Sequence, residues 1–171
     1  MPRYVAFLRG VSPMNARMPE LRACFEAEGF GEVRTLLSSG NVVFNARSSS
    51  ASALERRAER AMQASLGRSF RTIVRRAAYL QELLEAEPFA PFALPAAAKR
   101  VITFLGSPAD TRLALPLEKD GASILAVIGS EVLAAYIPGP KAPSFMSLIE
   151  RKFGTDITTR TLDTVRKCAS A

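Results

Sequence analysis

A short polar segment between two apolar runs constrains the fold of this chain more than any other stretch. Residues 33–37 and 42–44 are rich in β-branched and other apolar residues, and Ser38-Ser39-Gly40-Asn41 separates them. This pattern is typical of a β-hairpin, in which glycine takes a positive φ at no steric cost and asparagine tolerates one. The sequence therefore predicts two antiparallel strands joined at residues 38–41.

The segments around this hairpin complete a β-α-β-β-α-β order within residues 1–77. Residues 3–8 are apolar on both faces, which favours a central strand. Helical spacing predicts helices over 18–28 and 52–66, the second opening on a capping box of Ser52 and Glu55. With a further alternating strand at its end, this order is ferredoxin-like, and it predicts a four-stranded antiparallel sheet with the first and third strands in the middle.

Three prolines within residues 88–95 predict a stiff connector between two halves. We expect a ferredoxin-like half over 1–77, a helix with the proline-rich connector over 78–98, and a second α/β half over 99–171. The second half has the predicted order β-α-β-β-α followed by a C-terminal helix, with a short helix after Ser107 and a hairpin at Gly129-Ser130. The predicted fold class is therefore α+β, with the ferredoxin-like half packed against a related α/β half.

Composition excludes several classes of function. No histidine occurs among the 171 residues, which excludes Ser-His-Asp and Cys-His nucleophile systems and histidine-ligated metal sites. Cys24 and Cys168 lack a CxxC spacing and are predicted to be buried free thiols. We therefore predict no catalytic residue, no metal and no cofactor.

The chain carries no apolar run of about 18 residues, the length that a membrane span needs. Its first residues lack the apolar core and cleavage site of a signal peptide and are predicted to be a strand. We therefore expect a cytoplasmic protein with no membrane partner.

The positive charge is concentrated in one half of the chain. Residues 1–77 contain 13 arginines, no lysine and six glutamates, whereas residues 78–171 contain ten basic and ten acidic residues. The net charge of +7 therefore belongs to the first half. Two interpretations stay open: an anionic partner, or arginines scattered over a solvated surface because the genome favours arginine.

The predicted strand order brings several polar groups to one corner of the sheet. The first and third strands are antiparallel neighbours, so Arg9 is expected beside Gly40 and Asn41, near the start of the first helix. Guanidinium, hydroxyl and amide groups there are suited to holding an anion such as phosphate. In the alternative, residues 38–41 serve only to form the turn, and Arg9 pairs with a glutamate. The candidate ligand-binding residues are Arg9, Asn15, Arg17, Ser38, Ser39, Gly40, Asn41, Lys141 and Arg160.

The chain contains the motifs Tyr-Val-Ala-Phe-Leu-Arg-Gly at 4–10, Ser-Ser-Gly-Asn-Val-Val-Phe at 38–44 and Thr-Thr-Arg at 158–160. In their order and spacings these motifs resemble one bacterial family, domain of unknown function 1697. The resemblance implies a fold of ferredoxin-like character and no established activity. The chain departs from the family at residues 11–17, where relatives usually carry a Gly-Gly and a lysine.

Three functions compete at this point. The first is non-catalytic binding of a phosphate-bearing small molecule, a nucleotide or a nucleic acid at the sheet corner. The second is a small-molecule enzyme with its site in the cleft between the two halves. The third is a self-associating protein without a ligand. Whether the chain is an enzyme and what its oligomeric state is both stay open.

Overall fold

A computed structural model of the chain describes residues 1–109 and 112–171. The chain forms two compact units, Met1–Glu85 with Arg166–Ala171, and Ala86–Val165. Helices and two antiparallel sheets make up the fold, so the predicted α+β class is confirmed. The divisions predicted at residues 77 and 98 differ from these units, because the helix after residue 76 packs on strands of the first unit.

The first unit contains one four-stranded antiparallel sheet. Its elements are β1 (Arg3–Leu8), α1 (Met18–Ala27), β2 (Gly31–Leu36), β3 (Asn41–Asn45), α2 (Ala51–Leu66), β4 (Thr72–Arg76) and α3 (Ala77–Glu85). The strand order is β2-β3-β1-β4, with every neighbouring pair antiparallel. Strands β1 and β3 lie in the middle because their side chains are apolar on both faces, as the sequence predicts.

Aromatic packing holds the β2–β3 hairpin on the core of this unit. The ring of Phe44 on β3 lies 4.4 Å from that of Phe30, 5.6 Å from that of Phe25 and 5.7 Å from that of Tyr4, measured between centroids. These four residues come from β1, β3, α1 and the residue before β2, and all are buried. Such contacts add to the burial of apolar area and set the register of the hairpin.

Helix α2 is capped two residues earlier than predicted. The hydroxyl of Ser50 accepts a hydrogen bond from the backbone N–H of Ala53 at 3.2 Å. Glu55 is buried and its Oε2 accepts from the N–H of Val74 at 2.9 Å. The predicted capping box of Ser52 and Glu55 is therefore wrong, because the outer edge of β4 needs the carboxylate as an acceptor.

The second unit contains a five-stranded antiparallel sheet. Its elements are β5 (Lys99–Leu105), β6 (Leu117–Lys119), β7 (Ala122–Ile128), β8 (Glu131–Tyr136), α4 (Pro143–Phe153) and β9 (Ile157–Thr161). Helix α5 (Leu162–Ala169) begins here, and its last residues belong to the first unit. The strand order is β6-β7-β8-β5-β9.

Two local features of the second unit bear on the sequence predictions. The hairpin at Gly129-Ser130 is confirmed, with Gly129 at φ +59°. The helix predicted after Ser107 falls in part on residues 110 and 111, which lie outside the described residues. Residues 106–109 and 112–116 contain bends, a turn and otherwise irregular backbone, so none of them is helical. Strand β6 was not predicted, because it has only three residues.

The two sheets share one strand order. Without β6, the order β7-β8-β5-β9 repeats β2-β3-β1-β4. The backbone contacts at the ends of the central strands repeat as well. The N–H of Leu8 donates to the carbonyl of Gly40 at 2.9 Å, and the N–H of Leu105 donates to the carbonyl of Ser130 at 2.9 Å. The second half therefore reproduces the strand order of the first, although no helix corresponding to α1 stands between β5 and β7 in the described residues.

Within the described ranges, no helix combines the length and the apolar character that crossing a membrane requires.

Candidate functional site

The end of β1 lies beside the start of β3, where the sequence predicts it. Phe7 pairs with Asn41, and the N–H of Leu8 donates to the carbonyl of Gly40. On the other side, the N–H of Arg9 donates to the carbonyl of Arg71 at 2.8 Å. Arg9 is thereby held between the β2–β3 turn and the start of β4, and its side chain is half-buried.

The side chain of Asn41 holds the β2–β3 turn through hydrogen bonds. Its side chain is fully buried, and its Nδ2 donates to the carbonyl of Leu36 and to the hydroxyl of Ser39, both at 3.0 Å. Ser38 and Ser39 are exposed on the turn. The buried amide therefore fixes the turn that presents the two serines.

The positive φ angles in this turn belong to Leu37 and Gly40, at +60° and +86°. Asn41 does not share this conformation, because it is the first residue of β3 and pairs with Phe7. A left-handed leucine is uncommon, since its Cβ crowds the backbone. The turn thus carries local backbone strain at an exposed residue.

The loop between β1 and α1 is braced by its own side chains. Asn15 donates from Nδ2 to the carbonyl of Gly10 at 2.8 Å, and its Oδ1 accepts from the N–H of Ser12 at 2.9 Å. Met14 is 94% exposed at the apex of this loop. Arg17 follows at the N-cap position of α1, exposed and without a side-chain cap to the helix. Asn15 therefore shapes the loop, and Met14 and Arg17 are presented to solvent.

A third loop joins this end of the sheet, and sequence reasoning missed it. Nη1 of Arg68 donates to the carbonyl of Asn15 at 3.4 Å, which ties residues 67–71 to the β1–α1 loop. Nη1 of Arg71 lies 3.3 Å from Oε1 of Glu55. We call residues 9–17, 37–40 and 67–71 together the arginine corner. It contains four arginines and no acidic residue. This excess of positive charge can be read from the sequence, but only if the three loops are already known to lie together.

The repeated topology supplies an internal comparison for this corner. The N–H of Gly106 donates to the carbonyl of Asp156 at 2.8 Å, as the N–H of Arg9 does to that of Arg71. Glycine and aspartate thus occupy the positions that arginines occupy in the first unit. The backbone geometry alone does not require arginine at either position.

The remaining candidates, Lys141 and Arg160, belong to the second unit. Lys141 is exposed, and its carbonyl accepts from the hydroxyl of Ser144 at 2.7 Å. Arg160 is buried and donates to the hydroxyl of Thr158 at 2.6 Å and to the carbonyl of Thr159 at 2.9 Å. Arg75 on β4 makes the same contact to the carbonyl before it, so this arginine too is part of the repeat.

Two observations on the described residues concern metal binding and thiol chemistry. No group of three or more Cys, Asp or Glu side chains among them could hold a metal ion. Both cysteines are buried and free, as predicted. Burial raises the pKa of the Cys24 thiol; the hydrogen bond with Ser65 opposes that shift and the charge of Glu20 adds to it.

Comparison with known proteins assigns the chain to a family. The family described as Protein of unknown function (DUF1697) matches residues 1–132, so the chain belongs to it. No curated protein matches the chain. The solved structure of the conserved bacterial protein SP0830 from Streptococcus pneumoniae is similar, with a TM-score of 0.67 at 19% identity, over 99% of this chain and 97% of that one. At this identity the likeness shows the fold alone.

Proposed function

We propose that this protein binds a phosphate-bearing ligand, a nucleotide or a nucleic acid, at the arginine corner, without catalysing a reaction on it. The main observation behind the proposal is the 2.9 Å hydrogen bond from the N–H of Leu8 to the carbonyl of Gly40. This bond places Arg9 next to the β2–β3 turn, which presents Ser38 and Ser39. Arginine donates two parallel hydrogen bonds to a phosphate, and serine hydroxyls add single ones.

The rigidity of the corner supports binding. Asn15 and Asn41 hold the two loops through four hydrogen bonds of 2.8 to 3.0 Å. A site whose donors are already positioned loses less conformational entropy when a ligand arrives. The two asparagines are therefore assigned to positioning the loops, and ligand contacts to Arg9, Ser38 and Ser39.

The second unit supports a functional origin for the arginines. Its equivalent positions carry Gly106 and Asp156, with the same backbone hydrogen bonds. Because the fold forms without basic residues at these positions, the charge of the first corner is attributed to a ligand.

The state of the thiols supports the non-catalytic part of the proposal. Nucleophilic cysteines are thiolates in electropositive, partly exposed surroundings. Cys24 and Cys168 are buried, and burial raises the pKa of Cys24. With no histidine in the chain to act as a base, neither thiol is suited to attack a substrate.

Calorimetric titration with inorganic pyrophosphate and with ATP tests this proposal. We expect wild-type protein to bind at least one of them, Arg9→Gln to lose about tenfold or more in affinity, and Arg9→Lys to lose less. Arg22→Gln is the matched control, because Arg22 is an exposed arginine on α1 whose Nε lies 3.4 Å from Glu26. Absence of binding by wild-type protein, or equal losses in Arg9→Gln and Arg22→Gln, contradicts the proposal. Circular dichroism checks that each variant is folded.

A further inference from the structure

We infer that the arginine corner docks a single-stranded nucleic acid, with backbone phosphates on Arg17 and Arg68 and bases against Met14 and Leu37. This inference rests on the proposed function and names the class of its ligand.

The charges of the corner are spread over several loops. Arg17 lies at the end of the β1–α1 loop and Arg68 at the start of the loop before β4, and both are exposed. The guanidinium of Arg68 donates to the carbonyl of Asn15, two residues from Arg17, so the two side chains belong to one surface. Two exposed guanidiniums on separate loops suit a ligand with successive phosphates.

Two large apolar side chains are exposed among these charges. Met14 is 94% exposed although its loop is held by hydrogen bonds, and Leu37 is 51% exposed although its φ of +60° is costly for leucine. Strain retained at an exposed residue is a feature of binding sites. A methionine side chain is flexible and polarisable, which suits contact with the flat face of a base.

The polar neighbours of these side chains favour nucleic acid over a lipid surface. Ser12, Ser38 and Ser39 flank Met14 and Leu37. Insertion of the loops into a membrane would remove water from these hydroxyls, which costs free energy unless partners replace it. The backbone phosphates of a nucleic acid supply such partners without requiring the loops to enter hydrocarbon, and serine is a frequent donor to them.

The apolar contacts also favour a single strand over a duplex. In a duplex the bases are stacked on one another and their faces are covered. In a single strand the faces are accessible to side chains, and binding then combines a basic groove with contacts to bases.

Fluorescence anisotropy with a labelled single-stranded RNA of about 16 nucleotides tests the inference. We compare wild-type protein with the double variant Arg17→Gln/Arg68→Gln at about 50 to 200 mM salt. The expected result is a loss of about tenfold or more in affinity, with the slope of log affinity against log salt reduced by about 1.4, from about 0.7 for each phosphate contact removed.

The matched control is Arg56→Gln/Arg60→Gln, which removes the same charge from exposed positions on α2. We expect this control to lose much less affinity than the corner variant. Met14→Ser is expected to weaken RNA binding without changing the salt slope, because the methionine contacts a base and not a phosphate.

Four outcomes overturn the inference. If wild-type protein binds pyrophosphate or ATP but not RNA, this inference fails and the proposed function stands, whereas absence of all binding removes both. If the α2 control loses as much affinity as the corner variant, the binding is diffuse electrostatic attraction. If phosphatidylglycerol vesicles are bound and RNA is not, the surface docks a membrane.

Discussion

At Gly40 the backbone takes φ +86°, and a Cβ added there would lie 2.9 Å from Cβ of Val11 and 3.0 Å from Cβ of Leu8. Two independent constraints therefore require glycine at this residue: the left-handed conformation and the close approach of the β1–α1 loop. The same contact joins two loops of the arginine corner. The hairpin pattern predicted the first constraint, but the second depends on a neighbour that only the fold supplies.

Gly40→Ala is expected to lower the free energy of unfolding by about 2–4 kcal/mol, from left-handed strain together with overpacking against Val11. Gly67→Ala is the control, because Gly67 has φ +72° but open space around the added methyl group. It should cost only about 1–2 kcal/mol. Urea unfolding followed by circular dichroism measures both, and equal losses would show that the contact with Val11 contributes nothing.

Burial of Cys24 predicts how its thiol responds to pH. The pKa is raised in the folded state, so the unfolded chain releases the thiol proton first as pH rises. The stabilisation is therefore complete below the ordinary thiol pKa and is lost as pH rises above it. We expect the unfolding free energy of Cys24→Ala to fall less steeply than that of wild-type protein above that pH. Identical slopes would contradict the burial effect.

At the scale of elements, α2 completes the edge of the first sheet. Oε2 of Glu55 accepts from the N–H of Val74 at 2.9 Å, and Oε2 of Glu59 accepts from the N–H of Thr72 at 3.3 Å. An edge strand otherwise presents unpaired amides that invite association with another chain. One turn of helix α2 thus supplies the acceptors that a fifth strand would have supplied.

Glu55→Ala is expected to destabilise the protein by about 2–4 kcal/mol, because it leaves the buried amide of Val74 without an acceptor and removes the ion pair with Arg71. Glu55→Gln should cost less, since its amide oxygen can still accept. Chemical denaturation measures both variants. If the alanine and glutamine variants are equally stable, the hydrogen bond to β4 is not what stabilises this edge.

At the scale of the molecule, the same strand order occurs in both sheets, but the loops at the ends of the central strands differ in charge. The corners share their backbone hydrogen bonds, yet Arg9 and Arg71 correspond to Gly106 and Asp156. The net charge of +7 comes from residues 1–77, which hold the arginine corner. The second corner is therefore an internal reference for ligand binding at the first.

Chemical-shift mapping by NMR uses this reference. On addition of pyrophosphate we expect shifts in residues 9–17, 37–40 and 67–71, and much smaller ones in residues 106, 129–130 and 154–156. The reason is that phosphate is attracted by guanidiniums and hydroxyls, while a shared backbone geometry attracts nothing by itself. Comparable shifts at both corners would assign binding to the backbone and remove the role of the arginines.

Local signals explain why much of this fold was predictable. The apolar run of β1, the helical stripe of α1 and the Gly129-Ser130 hairpin depend on residues close in sequence, and each element is observed. The cap of α2 was missed because Ser50 and Ser52 are equivalent as local signals. Glu55 could not serve a cap at Ser52, because its carboxylate accepts a hydrogen bond from Val74, 19 residues away.

By itself, the sequence determined the element order of the first unit, the central position of β1 and β3, and the meeting of Arg9 with the β2–β3 turn. Apolar periodicity is a local signal, and the order of the elements limits which strands can be neighbours. Only the tertiary structure decided that Asn41 is buried beneath the turn, that Leu37 takes the left-handed conformation and that Arg68 joins the corner. Those outcomes depend on packing between segments distant in sequence. The residues next to Asn41, Leu37 or Arg68 in the sequence do not specify which distant segment each will contact.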